Sequence, residues 1–147
     1  MIRAATLADI PALLALGARM HAESPHFRQI GFSADKLGAT LRQVLDSPNG
    51  FLMVGDAKGE IAGVMVALAV EHWCSTDMVA TDLALYVEPE FRGSMLAARL
   101  IGRYKAWANE RGAKITTAGI STGVNVEQTA RLYEAMGFKR FGVLLES

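Results

Sequence analysis

The chain has 147 residues, 51% hydrophobic and 20% charged, and its 15 basic residues are balanced by 15 acidic ones. This composition suits one globular domain over residues 1–147 and excludes a disordered chain, while the even charge excludes a general nucleic-acid binder. The single cysteine, Cys74, excludes an internal disulfide and is expected to serve as a packing residue.

In chain order, Met1 to Ala5 has no charged stretch leading into an apolar run, so it does not read as a signal peptide. Ile2 to Ala5 reads as a short strand. Thr6 opens a helix, with Asp9 three residues on in a capping-box arrangement, and Leu13, Leu14, Leu16, Ala18 and Met20 form its apolar side. A looser stretch, Ala22 to Gly31, precedes a second helix capped by Ser33, in which Leu37, Leu41, Val44 and Leu45 recur at helical spacing.

Ser47 to Gly50 is a turn. Phe51 to Gly55 and Ile61 to Val70 read as strands joined by a hairpin loop, Asp56 to Gly59. Ile61 to Val70 is also the longest apolar run and is too short to cross a bilayer as a helix. With no membrane segment apparent, the protein is expected to be soluble and cytoplasmic. The next strand runs from Thr81 to Val87, and a long helix follows from Ser94 to Arg111, stopped by Gly112. Lys114 to Ile120 is a strand, Asn125 to Met136 a helix, and Phe138 to Leu145 a closing strand. The strand–helix–strand unit from Thr81 to Ile120 implies two parallel strands joined by a right-handed crossover. The hairpin before it makes the sheet mixed, giving an α/β domain with helices covering one sheet.

The most informative segment runs from Leu83 to Ala97. A strand delivers Arg92-Gly93-Ser94 to a helix N-terminus, whose first N–H groups lack internal partners and face the positive end of the helix dipole. This is either a phosphate or pyrophosphate site or an ordinary connection with Ser94 as N-cap and Arg92 in water. Gly119-Ile-Ser-Thr-Gly123 matches the pattern G-x-S-x-G, but His21, His26 and His72 all precede Ser121, against the hydrolase order of serine, acid, histidine. The histidines have no metal-ligand spacing, so no metal is expected. Tyr133 is either a core residue of the last helix or a hydroxyl directed into a cleft as a general acid.

Together these features resemble the GNAT superfamily of N-acetyltransferases over nearly the whole chain. Leu85-Tyr-Val-Glu-Pro-Glu-Phe-Arg-Gly93 is similar to the strand end and loop before that family's acetyl-CoA pyrophosphate turn. Leu132-Tyr-Glu-Ala-Met-Gly-Phe138 is similar to its late helix. The resemblance implies a mixed, mostly antiparallel sheet in which the parallel strands Thr81–Val87 and Lys114–Ile120 splay apart, with helices on both faces. The pantetheine arm of acetyl-CoA would lie in the splay along Leu85, Tyr86 and Val87, bonding main chain at Leu85 and Val87. Its pyrophosphate would sit on the N–H groups of Gly93, Ser94, Met95, Leu96 and Ala97, beside Arg92. Two departures stand out: Met95 replaces the family's glycine, and Asn125 lies one residue farther from Tyr133 than the family's asparagine.

The chemistry implied is acetyl transfer by direct attack of a primary amine on the thioester. Tyr133 would protonate the departing thiolate, and a main-chain N–H near Val87 would polarise the carbonyl. Asp82 is the expected base, with Glu71 as the alternative. The acceptor, a small-molecule or protein amine, would enter over Met20 to Phe32, where Glu23, His26, Phe27 and Arg28 lie. A homodimer is common among similar proteins. The competing expectation is a binding or accessory protein that retains the fold without catalysis.

Overall fold

The computed structural model describes residues 1–147. Strands β1 (Ile2–Ala4), β2 (Gly50–Ala57), β3 (Glu60–Glu71), β4 (Met78–Val87) and β5 (Ile115–Thr117) form one sheet in sequence order. Successive pairs are antiparallel except β4 and β5, which are parallel. Helices α1 (Ile10–Glu23) and α2 (Ala34–Asp46) lie between β1 and β2, α3 (Leu96–Glu110) joins β4 to β5, and α4 (Val126–Ala135) follows β5. The layers follow from strand alternation. Leu52, Val54, Val64, Val66 and Tyr86 face α1 and α2 with Leu13, Leu16, Leu41 and Val44. Phe51, Met65, Ala67, Ala69 and Ala80 face α3 and α4 with Leu100, Ile101, Tyr104, Trp107 and Tyr133. The sheet is therefore buried on both faces, which is why β3 reads as a nearly unbroken apolar run.

The β2–β3 hairpin closes on Lys58 and Gly59, both at positive φ (56° and 87°), the conformation of a tight primed turn whose twist matches the flanking strands. The Asp56 carboxylate accepts the Gly59 N–H at 2.8 Å and completes the turn. A second pair of glycines acts through what is missing. Gly55 and Gly63 face each other across β2 and β3. A Cβ on Gly55 would come within 2.3 Å of Leu96 Cδ1, and one on Gly63 within 3.0 Å of the Tyr86 carbonyl oxygen. The first residue of α3 is thus seated in a dimple that the sheet leaves open.

Three expectations need correction. The closing strand does not form: residues 138–147 have no ladder. Instead the tail follows α4, with Arg140 donating to Glu127 at 2.9 and 3.1 Å and to Glu134 at 3.0 and 3.2 Å. Beyond it, Gln29 Nε2 donates to Glu146 Oε1 at 2.9 Å, and His26 Nδ1 lies 2.6 Å from Glu146 Oε2. Strand β5 is shorter than Lys114–Ile120, because beyond Thr117 the Gly119 N–H bonds the Asp82 side chain rather than the β4 backbone. Cys74 is exposed, not packed; it lies between β3 and β4 with Sγ 3.2 Å from His72 Nδ1.

Candidate functional site

The site begins where β4 and β5 part. Their pairing covers only Val79–Ile115, Ala80–Thr116 and Thr81–Thr117. From Asp82 onward β4 has no partner on that side. On its other side the register with β3 shifts between Val66 and Ala67, so that Leu83 becomes an unpaired bulge residue. Bulges increase local bend and twist, and this one sits at the vertex of the opening. The Glu88 N–H donates to the Ala62 carbonyl at 2.8 Å, which fixes the alternation beyond the bulge. Glu88, Tyr86 and Ala84 direct their backbone groups to β3, and Val87 and Leu85 direct theirs into the open splay. A ligand threaded there therefore meets a row of free main-chain donors and acceptors, at the two residues expected from the resemblance. Tyr86 serves differently: its ring is buried on the α1–α2 face and its hydroxyl donates to Glu23 Oε2 at 3.0 Å.

The loop from Glu88 to Met95 presents the helix start. Gly93 adopts φ +85°, where a side chain would be strained. Ser94 Oγ donates to the Phe91 carbonyl at 2.6 Å and accepts the Leu96 N–H at 3.3 Å, which delays α3 until Leu96, two residues after the expected start. The Ser94 N–H donates to the Phe91 carbonyl at 3.3 Å, so neither Ser94 nor Leu96 offers a free donor. The N–H groups of Gly93, Met95 and Ala97 have no partner in the chain. Met95 occupies the cap position and is 64% exposed. Its side chain lines a surface cleft of about 290 Å³ together with Phe91, Leu96 and Arg99.

Arg92 is not the free cation that the sequence suggested. Its Nε donates to the Val87 carbonyl at 2.9 Å, and its two terminal nitrogens donate to the Glu23 carboxylate at 2.6 and 2.7 Å. The guanidinium also lies 5.4 Å from the centre of the Tyr86 ring. Hydrogen bonding from Arg92 holds the Glu23 carboxyl below its usual range, and burial followed by the Glu23 bond raises the Tyr86 hydroxyl to about 12. The last residue of α1 is thereby tied to both the free edge of β4 and the loop from Glu88 to Met95. Replacing Glu23 with glutamine is expected to lower stability by about 1–3 kcal/mol, because a bidentate charged bond is lost from a half-buried guanidinium. Urea melts of the two proteins measure this.

Under the vertex lies a cluster of three polar side chains on the α3–α4 face. Asp82 Oδ1 accepts the Gly119 N–H at 3.0 Å. Desolvation raises the Asp82 carboxyl to about 6, even though its backbone bonds act the other way. The Tyr104 hydroxyl donates to the Thr117 carbonyl at 2.7 Å. Tyr133, 5% exposed, packs edge-on against Phe138 with ring centres 5.1 Å apart. Its hydroxyl is the one buried side-chain polar atom in the molecule with no hydrogen-bond partner. Burial, then the nearby Asp82 and Tyr104, hold its proton tightly, well above the usual phenol range. The structure thus brings Tyr133 and Asp82 into one electrostatic neighbourhood. Glu71 pairs with Met78 at the opposite end of β4 and does not join them. Asn125 is also apart: it is exposed at φ +49° and makes no side-chain cap bond to α4.

On the other side of the opening, Ser24 is fully buried, and its Oγ donates to the Thr122 carbonyl at 2.6 Å while accepting the Phe27 N–H at 3.0 Å. This bond joins the α1–α2 connection to the β5–α4 loop across the mouth. It spans 98 residues of sequence, so no local signal announces it.

A sequence profile of the Acetyltransferase (GNAT) family matches residues 18–138. The chain belongs to the GNAT acetyltransferase family. No curated protein sequence matches it. Solved structures with this fold include the aminoglycoside N-acetyltransferase AAC(6')-Iy in complex with CoA (TM-score 0.80, 17% identity), covering 100% of this chain and 92% of that one. The aminoglycoside 6'-N-acetyltransferase AAC(6')-IG from Acinetobacter haemolyticus is similar at TM-score 0.77 and 15% identity, covering 100% and 96% of the two chains. A putative acetyltransferase from Agrobacterium tumefaciens is similar at TM-score 0.76 and 18% identity, covering 100% and 99%. These likenesses establish the fold of this GNAT chain, a single mixed sheet in which only β4 and β5 are parallel. No helix of the chain is long and apolar enough to cross a membrane.

Proposed function

We propose that this GNAT protein transfers the acetyl group of acetyl-CoA to a primary amine by direct attack. The observation that carries the reading is the buried Tyr133 hydroxyl, protonated and unpartnered, beside Asp82 at the vertex of a splayed strand pair. A buried hydroxyl without a partner is costly, and a ligand that supplies the partner explains its retention. Pantetheine lies along the free backbone of Leu85 and Val87, and the pyrophosphate takes the N–H groups of Gly93, Met95 and Ala97. Arg92 braces this loop through Val87 and Glu23.

In the reaction the amine nitrogen bonds the thioester carbonyl carbon, and the carbon–sulfur bond breaks as the tetrahedral adduct collapses. The amine proton passes to Asp82, directly or through water, and the Tyr133 proton passes to the departing sulfur. The outward Val87 N–H stabilises the developing oxyanion. An Asp82 carboxyl near 6 is largely ionised at neutral pH, as a base must be.

The test is calorimetric titration with acetyl-CoA, desulfo-CoA and ATP, followed by thiol release in the presence of a panel of amines. Binding of the CoA ligands but not ATP, with amine-dependent thiol release, supports the reading; absence of CoA binding overturns it. Arg92 is already engaged and Met95 replaces glycine, which favours a second reading in which CoA binds without turnover. Binding with no thiol release from any amine would select it. Met95→Gly is expected to tighten acetyl-CoA binding by about three- to tenfold, because removing the side chain lets the ligand approach the helix start more closely.

A further inference from the structure

One side of the opening carries a cation with no counter-charge. The connection from α1 to α2 holds two side chains that can be positive, His26 and Arg28. His26 Nδ1 lies 2.6 Å from Glu146 Oε2, whereas Arg28 forms no ion pair. Its side chain is nevertheless held. The Arg28 main-chain N–H and its Nε both donate to the Ser24 carbonyl, at 3.1 and 3.3 Å. Ser24 is the residue whose buried Oγ bonds the Thr122 carbonyl across the mouth. The arginine stem is therefore folded back toward that bridge, and its two terminal nitrogens make no hydrogen bond within the chain. The carboxylates bordering the opening are in the opposite condition. Glu23 accepts both terminal nitrogens of Arg92 at 2.6 and 2.7 Å, and the buried Glu88 accepts Arg19 Nε at 2.6 Å. Residues 118–125 of the β5–α4 loop include no charged side chain. Only Asp82 at the vertex and the exposed Glu90 on the loop toward α3 have no cation beside them. A polycation entering here would have to displace an arginine from each of two partly buried carboxylates. A ligand with a carboxylate of its own meets a planar guanidinium fork that is already oriented, so less rotamer freedom is lost on pairing.

We propose that Arg28 selects the acceptor: the amine acetylated is that of an amino acid, whose carboxylate docks on the Arg28 fork while its amino group reaches Asp82. This rests on the acetyl-transfer reading and names its substrate class. The two ends of the zwitterion find opposite partners on opposite walls of the mouth, the carboxylate on the α1–α2 connection and the ammonium at the vertex. That fixes which end of the acceptor points at the thioester. Acetylation then turns the amine into a neutral amide, so the product loses its attraction to Asp82 and is held by its carboxylate alone.

The experiment is calorimetric titration of acceptors onto the full chain saturated with desulfo-CoA, which cannot transfer an acetyl group. A panel of α- and ω-amino acids is compared, each with its own carboxamide, which keeps the amine and removes only the negative charge; spermidine serves as the polycation. At least one amino acid is expected to bind about 10- to 100-fold more tightly than its carboxamide, the worth of a charge-assisted pair. Arg28→Gln is expected to abolish that difference by weakening the acid alone, and Arg28→Lys to restore part of it. Because Arg28 is exposed, desulfo-CoA affinity and the circular dichroism spectrum should match the parent in both variants. With acetyl-CoA as donor, the loss in Arg28→Gln should fall on the KM for the amino acid and leave kcat unchanged. A preference that survives Arg28→Gln, carboxamides or spermidine binding as tightly as the acids, or no binding by any amino acid would each overturn the inference. The desulfo-CoA titration reports separately on acetyl transfer. A protein that does not take it up would count against that reading, and the comparison of acids with carboxamides on the unloaded chain would still decide the role of Arg28.

Discussion

Tyr133→Phe is expected to lower acetyl-transfer turnover by about 10²- to 10³-fold and, at the same time, to stabilise the fold by about 1 kcal/mol. The two effects share one cause. The hydroxyl is buried and no protein group bonds it, so folding supplies no protein partner for the water it loses. Phenylalanine keeps the ring against Phe138 and removes that cost. In the proposed reaction the same hydroxyl would supply the proton that makes CoA a good leaving group. Steady-state thiol release and thermal melts on one preparation measure both effects. Unchanged turnover would remove Tyr133 from the mechanism. A loss of stability would mean that the hydroxyl has a partner in solution.

Asp82→Asn carries the second large effect, and it depends on pH. The Asp82 carboxyl sits near 6 in the folded chain against the ordinary 3.8. A raised pKa means that the native state favours the protonated form. Its stabilising contribution is therefore complete below about pH 4 and is lost as pH rises through 6. Asparagine never ionises and still accepts the Gly119 N–H. The variant should match the parent below about pH 4 and exceed it by up to about 3 kcal/mol above pH 7. Turnover should move the other way. The parent's kcat is expected to climb with pH through an acidic limb near 6, and the variant should lose both that limb and about 10²-fold in rate. A variant that retained the limb would assign the base elsewhere. Equal stability at high pH would show that the carboxylate is well solvated.

Much of this was legible in the sequence, for identifiable reasons. Leu100, Tyr104 and Trp107 recur at helical spacing because one face of α3 is buried, and the Asp56–Gly59 hairpin loop was signalled by Gly59, which takes positive φ freely, and by Asp56, which accepts its N–H. Leu85 and Val87 were named through the family resemblance alone, since nothing in the sequence around them says which side of β4 lacks a partner strand. The sequence was silent wherever the deciding partner lies far along the chain. Glu23 and Arg92 are 69 residues apart, and nothing near either position indicates that the cation is already neutralised. The tail misled for a related reason. Phe141 to Leu145 has the composition of a strand, but composition does not say whether a neighbouring edge is within reach. Asp82 was recognised as acidic and suitably placed, whereas its burial at a bulge, which tunes it, belongs to tertiary structure.

The facing glycines beneath Leu96 give the proposed pyrophosphate loop an unusual genetics. Leu96 begins the helix whose N-terminus is the proposed pyrophosphate site, and it rests where Gly55 and Gly63 leave room. The height of that helix above the sheet is written in two absences, on the strands β2 and β3 beneath it. Alanine scanning finds functional positions by deleting side chains. At these two positions alanine is the insertion, and a scan would record a distant loss of CoA affinity at residues that any map of contacts leaves blank.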